Sequence, residues 1–191
     1  MIRALFKFAK LPDGVVRVDT TSNTHPIYKE LSPFVLPAPP AKNLENLWQF
    51  SKVYKKHIMP IDGYPDASWY KWRDWGYSQE KAYRYPMGKG AIPEYSLWDG
   101  EKLDYIQARK KIYAPEYARN VEKTDSFKIL KEQYNECLLH NAEMILLDYD
   151  AYDHSELDMT LIDVINYPKR KMGHAFVLIM MLTGVLEECI R

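Results

Sequence analysis

Residues Ala175-Phe-Val-Leu-Ile-Met-Met-Leu-Thr-Gly-Val-Leu186 form the only long apolar run in the chain, and a segment apolar on every face must be surrounded by other elements. The run is too short to span a bilayer, which takes about 20 apolar residues. It therefore predicts a central core helix, from Gly173 to about Cys189, with the rest of the chain packed around it. At 191 residues the chain is long enough to bury such a core and fits a single domain. No linker, internal repeat or low-complexity tract interrupts it.

Composition narrows the function classes. Lys and Arg number 26 and Asp and Glu number 26, so no global charge favours duplex DNA or an anionic membrane surface, and only a local basic patch stays open. Met1-Ile-Arg-Ala-Leu-Phe6 is too brief an apolar segment for a signal peptide, so a cytoplasmic protein with no membrane partner is expected. Cys137 and Cys189 lack metal-like spacing and read as reduced thiols.

Along the chain, Ile2 to Phe8 and Val15 to Val18 flank the turn sequence Leu11-Pro-Asp-Gly14 and predict a β-hairpin. Asn43 suits an N-cap for a helix that ends at His57 to Pro60. Residues from about 61 to 100 are dense in Trp, Tyr and turn formers. They predict one short helix at 67–75 within a long ordered loop, inserted into the domain. Helices follow at about 102–113, 115–121, 126–139 and 161–166. Met144-Ile-Leu-Leu147 reads as a buried strand. The expected fold is α+β, a helix-rich single domain with a small sheet.

Three segments carry candidate chemistry. In the helix after Asn43, Glu45, Gln49 and Lys52 recur at helical spacing and fall in one stripe, with Trp48 and Val53 on its flanks. Such a stripe either faces water or lines a pocket, where a carboxylate, an amide and an amine on one rail would suit acid, base or nucleophilic work. The strand 144–147 runs into Asp148-Tyr-Asp-Ala-Tyr-Asp-His154. Asp148, Asp150, Tyr152, Asp153 and His154 there fit sugar hydroxyls or a polar loop cap, and match no strong metal motif. Lys169-Arg-Lys-Met-Gly-His174 sets Lys171, Gly173 and His174 at the start of the apolar helix, which suits a phosphate or an ordinary basic turn. In the aromatic stretch, Trp and Tyr with Lys71, Arg73, Arg84 and Lys89 would stack a base or simply cover the core. Tyr85-Pro-Met-Gly-Lys-Gly90 lacks the spacing of a P-loop.

Ser32-Pro-Phe34, then Glu45-Asn-Leu-Trp-Gln-Phe-Ser-Lys-Val53, then Met172-Gly-His-Ala-Phe-Val-Leu-Ile-Met-Met181 stand in the order found in the NADAR superfamily, which the chain resembles over about a quarter of its length. Members of that family carry Ser-x-Phe, a helix with Glu-His-x-Phe-Gln-x-x-Lys-Phe, and a Gly-led apolar helix. Here Asn46 stands in place of the family's His, and Tyr149 to His154 in place of its late Trp-Gly.

The resemblance implies N-glycosidic chemistry on an ADP-ribosyl, NAD-related or ribosylated-base substrate, including ADP-ribosylated guanine in single-stranded nucleic acid. By the same resemblance Glu45, Lys52 and Asp150 would be catalytic, and Ser32, Phe34, Trp48 and Gln49 would bind substrate with the two later segments. No cofactor and no metal are called for. Two other classes stay open: a non-catalytic protein that sequesters a nucleotide or nucleic acid, and a structural or partner-binding protein of a bacteriophage. The last predicts a Glu45/Lys52 stripe open to solvent with no pocket beside it.

Overall fold

A computed structural model describes residues 1–22 and 24–191. In chain order the elements are β1 (Ile2–Phe6), β2 (Val16–Asp19), α1 (Leu44–Phe50), β3 (Lys52–Val53), α2 (Ala67–Ser78), β4 (Tyr95–Trp98), β5 (Glu101–Leu103) and α3 (Tyr105–Ala108). A π-helical turn (Arg109–Tyr113) then runs into α4 (Ala114–Val121), followed by α5 (Asp125–Leu139), β6 (Met144–Asp148), α6 (Leu161–Asn166), α7 (His174–Leu182) and α8 (Leu186–Ile190). The architecture is α+β, rich in helix, with two small sheets.

Every residue of β6 is buried, so its backbone groups need strand partners on both edges. It has them: β1 and β2 flank it, both parallel, with Ile2 and Val16 each opposite Met144. The N-terminal hairpin expected from the sequence is thus not formed. Residues 7–15 instead carry the chain across to the far side of β6, and the Pro-Asp-Gly turn serves that crossing. The second sheet is antiparallel, in the order β3-β4-β5. Its β4–β5 turn has Asp99 at φ 48° and Gly100 at φ 79°, the positive-φ pair that a tight hairpin of strand-matched twist requires. The stretch 61–100 therefore holds a full helix and most of a hairpin where one long loop with a single short helix was expected.

The apolar run does form the core helix, but it stops earlier than its hydrophobicity suggests. Ala175 to Met180 are all buried, and the helix ends at Leu182 because Gly184, at φ 74°, turns the chain left-handed. Val185 N–H donates to Met180 C=O and Gly184 N–H to Met181 C=O, closing the helix with a Schellman motif. A single helix through to Cys189 is replaced by α7, this turn and α8. No helix among the described residues is long and apolar enough to cross a membrane.

Candidate functional site

Helix α1 is capped by Asn43, whose side chain accepts from Asn46 N–H at 2.9 Å. It ends at Phe50, well before the expected His57, because the following backbone is taken up by the second sheet. Leu97 N–H donates to Ser51 C=O, Glu94 N–H donates to Val53 C=O, and the indole of buried Trp69 donates to Lys52 C=O at 2.9 Å. Lys52 therefore stands on a strand, not on the helix. It still meets the helical stripe: Lys52 Nζ donates to Gln49 Oε1 at 2.7 Å, and Gln49 Nε2 donates to Glu45 Oε1 at 2.9 Å. One amide joins a carboxylate to an amine.

Asn46, fully buried, has a different job. Its Nδ2 donates to the carbonyls of Gln79 and Lys81 and its Oδ1 accepts from Tyr83 N–H, which clamps the segment leading to Arg84.

The stripe is not solvated. Glu45 and Gln49 are buried, and they form part of the wall of a cavity of about 680 Å³, within the roughly 300–1,000 Å³ typical of small-molecule sites. Burial pushes the Glu45 carboxyl above its ordinary range, against the pull of Gln49 and Lys52. Burial lowers the Lys52 ammonium to about 8, with Glu45 resisting and Lys171 adding to the drop. Lys52 Nζ also lies 4.9 Å from the centre of the Trp48 ring.

The opposite wall is the C-terminal end of β6. Asp148 Oδ2 accepts from Ala175 N–H and faces His174 Nδ1, both at 3.1 Å, while Oδ1 accepts from Asp150 N–H at 3.2 Å. His174 Nε2 lies 2.9 Å from Thr20 C=O. This network ties β6, β2 and the start of α7 together. It also explains Gly173, since a Cβ there would sit 2.0 Å from Asp148 Oδ2. Asp150 is half-exposed and pairs with Arg84 at 2.8 Å.

Of the residues singled out in the sequence, Ser32, Phe34, Glu45, Trp48, Gln49, Lys52, Asp148, Asp150, Lys171, Gly173 and His174 all line this one cavity. Tyr152, Asp153 and His154 do not. Asp153 ion-pairs with Arg3 of β1, Tyr152 packs on Phe176 with Arg170 over its ring, and His154 lies edge-on to Phe176. The chain turns away from the cavity after Asp150, so residues 152–154 close the sheet and core instead.

The aromatic stretch is likewise divided. Phe50 gathers Trp72, Trp75 and Tyr83 around it, so these rings cover the core, while Arg84, Tyr85, Lys89 and the neighbouring residues 88–93 line the cavity. The other cavity aromatics include Tyr105, Tyr113 and Tyr149, none of which the sequence marked out. Arg109, also unmarked, opens the π turn behind Tyr105. Such turns are rare and concentrate at functional sites. Carboxylates on facing walls of one cavity, with an amine beside one of them, can stabilise developing positive charge, deliver a proton, or present an amine to a carbonyl carbon. Comparison of the chain with protein-family models, curated proteins and solved structures gives no match.

Proposed function

We propose that the protein is an N-glycosidase that breaks a ribose–base C1′–N bond in an ADP-ribosyl, NAD-related or ribosylated-base substrate, as the NADAR resemblance implies. The observation that carries this reading is the buried Glu45–Gln49–Lys52 rail facing a cavity whose other wall offers Asp150. A solvated helix face, as expected of a structural protein, would leave these side chains open to water. Glu45 and Gln49 are buried and Lys52 is partly so.

The chemistry follows from the charges. As the C1′–N bond breaks, its electron pair leaves with the base and positive charge builds on the ribose. Asp150, paired with Arg84, stabilises that charge. Glu45, whose proton is held more tightly than in water, supplies the proton that the departing base nitrogen takes up. Water then adds to C1′ and loses its proton to the carboxylate side. Lys52 offers a second route: with a pKa of about 8, a fraction of it is a free amine near neutral pH, whose nitrogen bonds C1′ as the base leaves with the electron pair of the C1′–N bond. The ribose ring then opens, its oxygen taking a proton, to give a Schiff base that water hydrolyses to free sugar and amine. Gln49, which already spans both groups, orients a ribose hydroxyl.

The test is base release, followed by mass, from NAD, ADP-ribose and ADP-ribosylated guanosine in single-stranded DNA. Wild type releases base, and Glu45→Gln and Lys52→Ala, checked as folded, lose at least about 10²-fold of that rate. Undiminished release by both variants would sink the assignment of these residues. Tight nucleotide binding without release from any substrate would instead favour a protein that sequesters its ligand.

A further inference from the structure

The cavity has a positive end whose charge lacks a counter-ion. Arg109 is 1% exposed, and among the described residues no carboxylate pairs with it. Its Nη1 donates to the carbonyl of Tyr167 at 2.8 Å and more weakly to those of Val164 and Ile165, at the C-terminal end of α6. Its Nη2 donates to the carbonyl of Arg170 and to the Tyr105 hydroxyl, and its Nε has no partner among the described residues. Helix-end carbonyls offset a cation only in part, and a buried guanidinium without an anion is costly.

Two cavity groups sit in front of this charge. The Tyr105 ring lies 4.2 Å from the guanidinium, and its oxygen accepts from Nη2 at 2.8 Å, so the phenol proton is left to donate elsewhere. Donation into that oxygen polarises the O–H and makes it a better donor. Tyr105 is 41% exposed and lines the cavity. Lys171 follows the residue whose carbonyl the same Nη2 holds, and its exposed side chain also lines the cavity, with Nζ 5.5 Å from the centre of the Tyr85 ring. All the carboxylates named in the cavity, Glu45, Asp148 and Asp150, belong to the two walls that would face the sugar.

We propose that the Tyr105 hydroxyl and the Lys171 ammonium, backed by the buried charge of Arg109, form an anion subsite that takes a phosphate group of the substrate. The shared chemistry is a phosphate oxygen accepting one hydrogen bond from a polarised phenol and one from an ammonium. A 5′-phosphomonoester and the diphosphate of an ADP-ribosyl group both supply it. The assignment rests on the N-glycosidase reading and deepens it by naming the groups that hold the substrate's phosphate, yet its test needs no turnover.

Calorimetric titration of adenosine, AMP and ADP-ribose into wild type, Glu45→Gln, Tyr105→Phe and Lys171→Met separates the two. Wild type and Glu45→Gln bind at least one of the phosphorylated ligands about tenfold or more tighter than adenosine, worth about 1.4 kcal/mol. In Tyr105→Phe and Lys171→Met that preference drops severalfold while adenosine affinity holds. Both positions are exposed, so the variants stay folded, and unchanged thermal midpoints verify it. A stronger preference for AMP identifies the monoester as the source, and a stronger preference for ADP-ribose the diphosphate. Equal binding of all three ligands, no binding of any, or a preference that both variants retain would overturn the subsite. Absence of base release with the preference intact removes the glycosidase reading alone.

Discussion

On the α1–β3 wall of the cavity, Glu45 and Lys52 reach each other only through the neutral amide of Gln49, whereas on the β6 wall Asp150 meets Arg84 directly and Asp148 is held by backbone N–H groups and His174. The first arrangement spaces a buried carboxylate and a partly buried amine one side chain apart, and both are pushed toward their neutral forms by removal from water. The second cancels charge at contact distance, half in solvent. The two walls thus hold their charges in different ways, one through a neutral bridge and the other by direct pairing and backbone hydrogen bonds.

Removing the bridge is the most damaging way to test the contrast. Gln49→Leu leaves Glu45 and Lys52 facing each other with no hydrogen bond between them, and chemical denaturation should show a loss of about 2–4 kcal/mol. Arg84→Met, on the half-exposed pair, should lose no more than about 1 kcal/mol. Equal losses would mean that the two walls are energetically alike.

A second prediction concerns pH. The folded Lys52 pKa of about 8 lies below its ordinary 10.5, so between these values the unfolded chain binds more protons than the folded one. Stability from this group therefore rises as pH climbs from 8 toward 10.5, and the cost of its burial is fully present below 8. Lys52→Met should be more stable than wild type at pH 7 and should flatten that slope in denaturation midpoints measured across the window. An unchanged slope would show that the amine is solvated in the folded protein.

The smallest effect on base release is expected outside both walls. Asp153→Asn weakens a largely buried ion pair with Arg3 and should cost about 1–3 kcal/mol of stability, with base release unchanged within about twofold. A large loss of release would return residues 152–154 to the site.

How far the sequence revealed all this depended on whether the deciding interactions were local. Helix α6 and the start of α5 carry their own caps, Thr160 with Asp163 and Thr124 with the N–H of Phe127, and both were legible. So was β6, whose apolar run announces two covered faces. The end of α1 was not, because Phe50 and Ser51 have ordinary helix chemistry and it is β4 and Trp69, distant in sequence, that draw Lys52 into a strand. The hairpin reading of residues 2–18 failed for the same reason: its turn signal is real, but β6 outbids the neighbouring strand for the same hydrogen bonds.

In the site, the stripe from Glu45 to Lys52 showed through its spacing. Asp153 and His154 shared the composition of Asp148 and Asp150 without sharing their direction, which only the path of the chain decides. Arg109 and Tyr105 gave no signal beyond residue type, since a buried guanidinium and a cavity tyrosine are distinguished by what surrounds them.

The placement of β6 between two N-terminal strands also sets an order of events. Neither β1 nor β2 has a strand partner until residues 144–148 are available, so during synthesis the beginning of the chain waits, unpaired, while more than half of the molecule is made. Closing so long a loop is slow, and strands left exposed meanwhile are vulnerable to pairing with other chains. Asp148 and Asp150 arrive with the strand that ends the wait, so the cavity gains its acidic wall only when the sheet is complete.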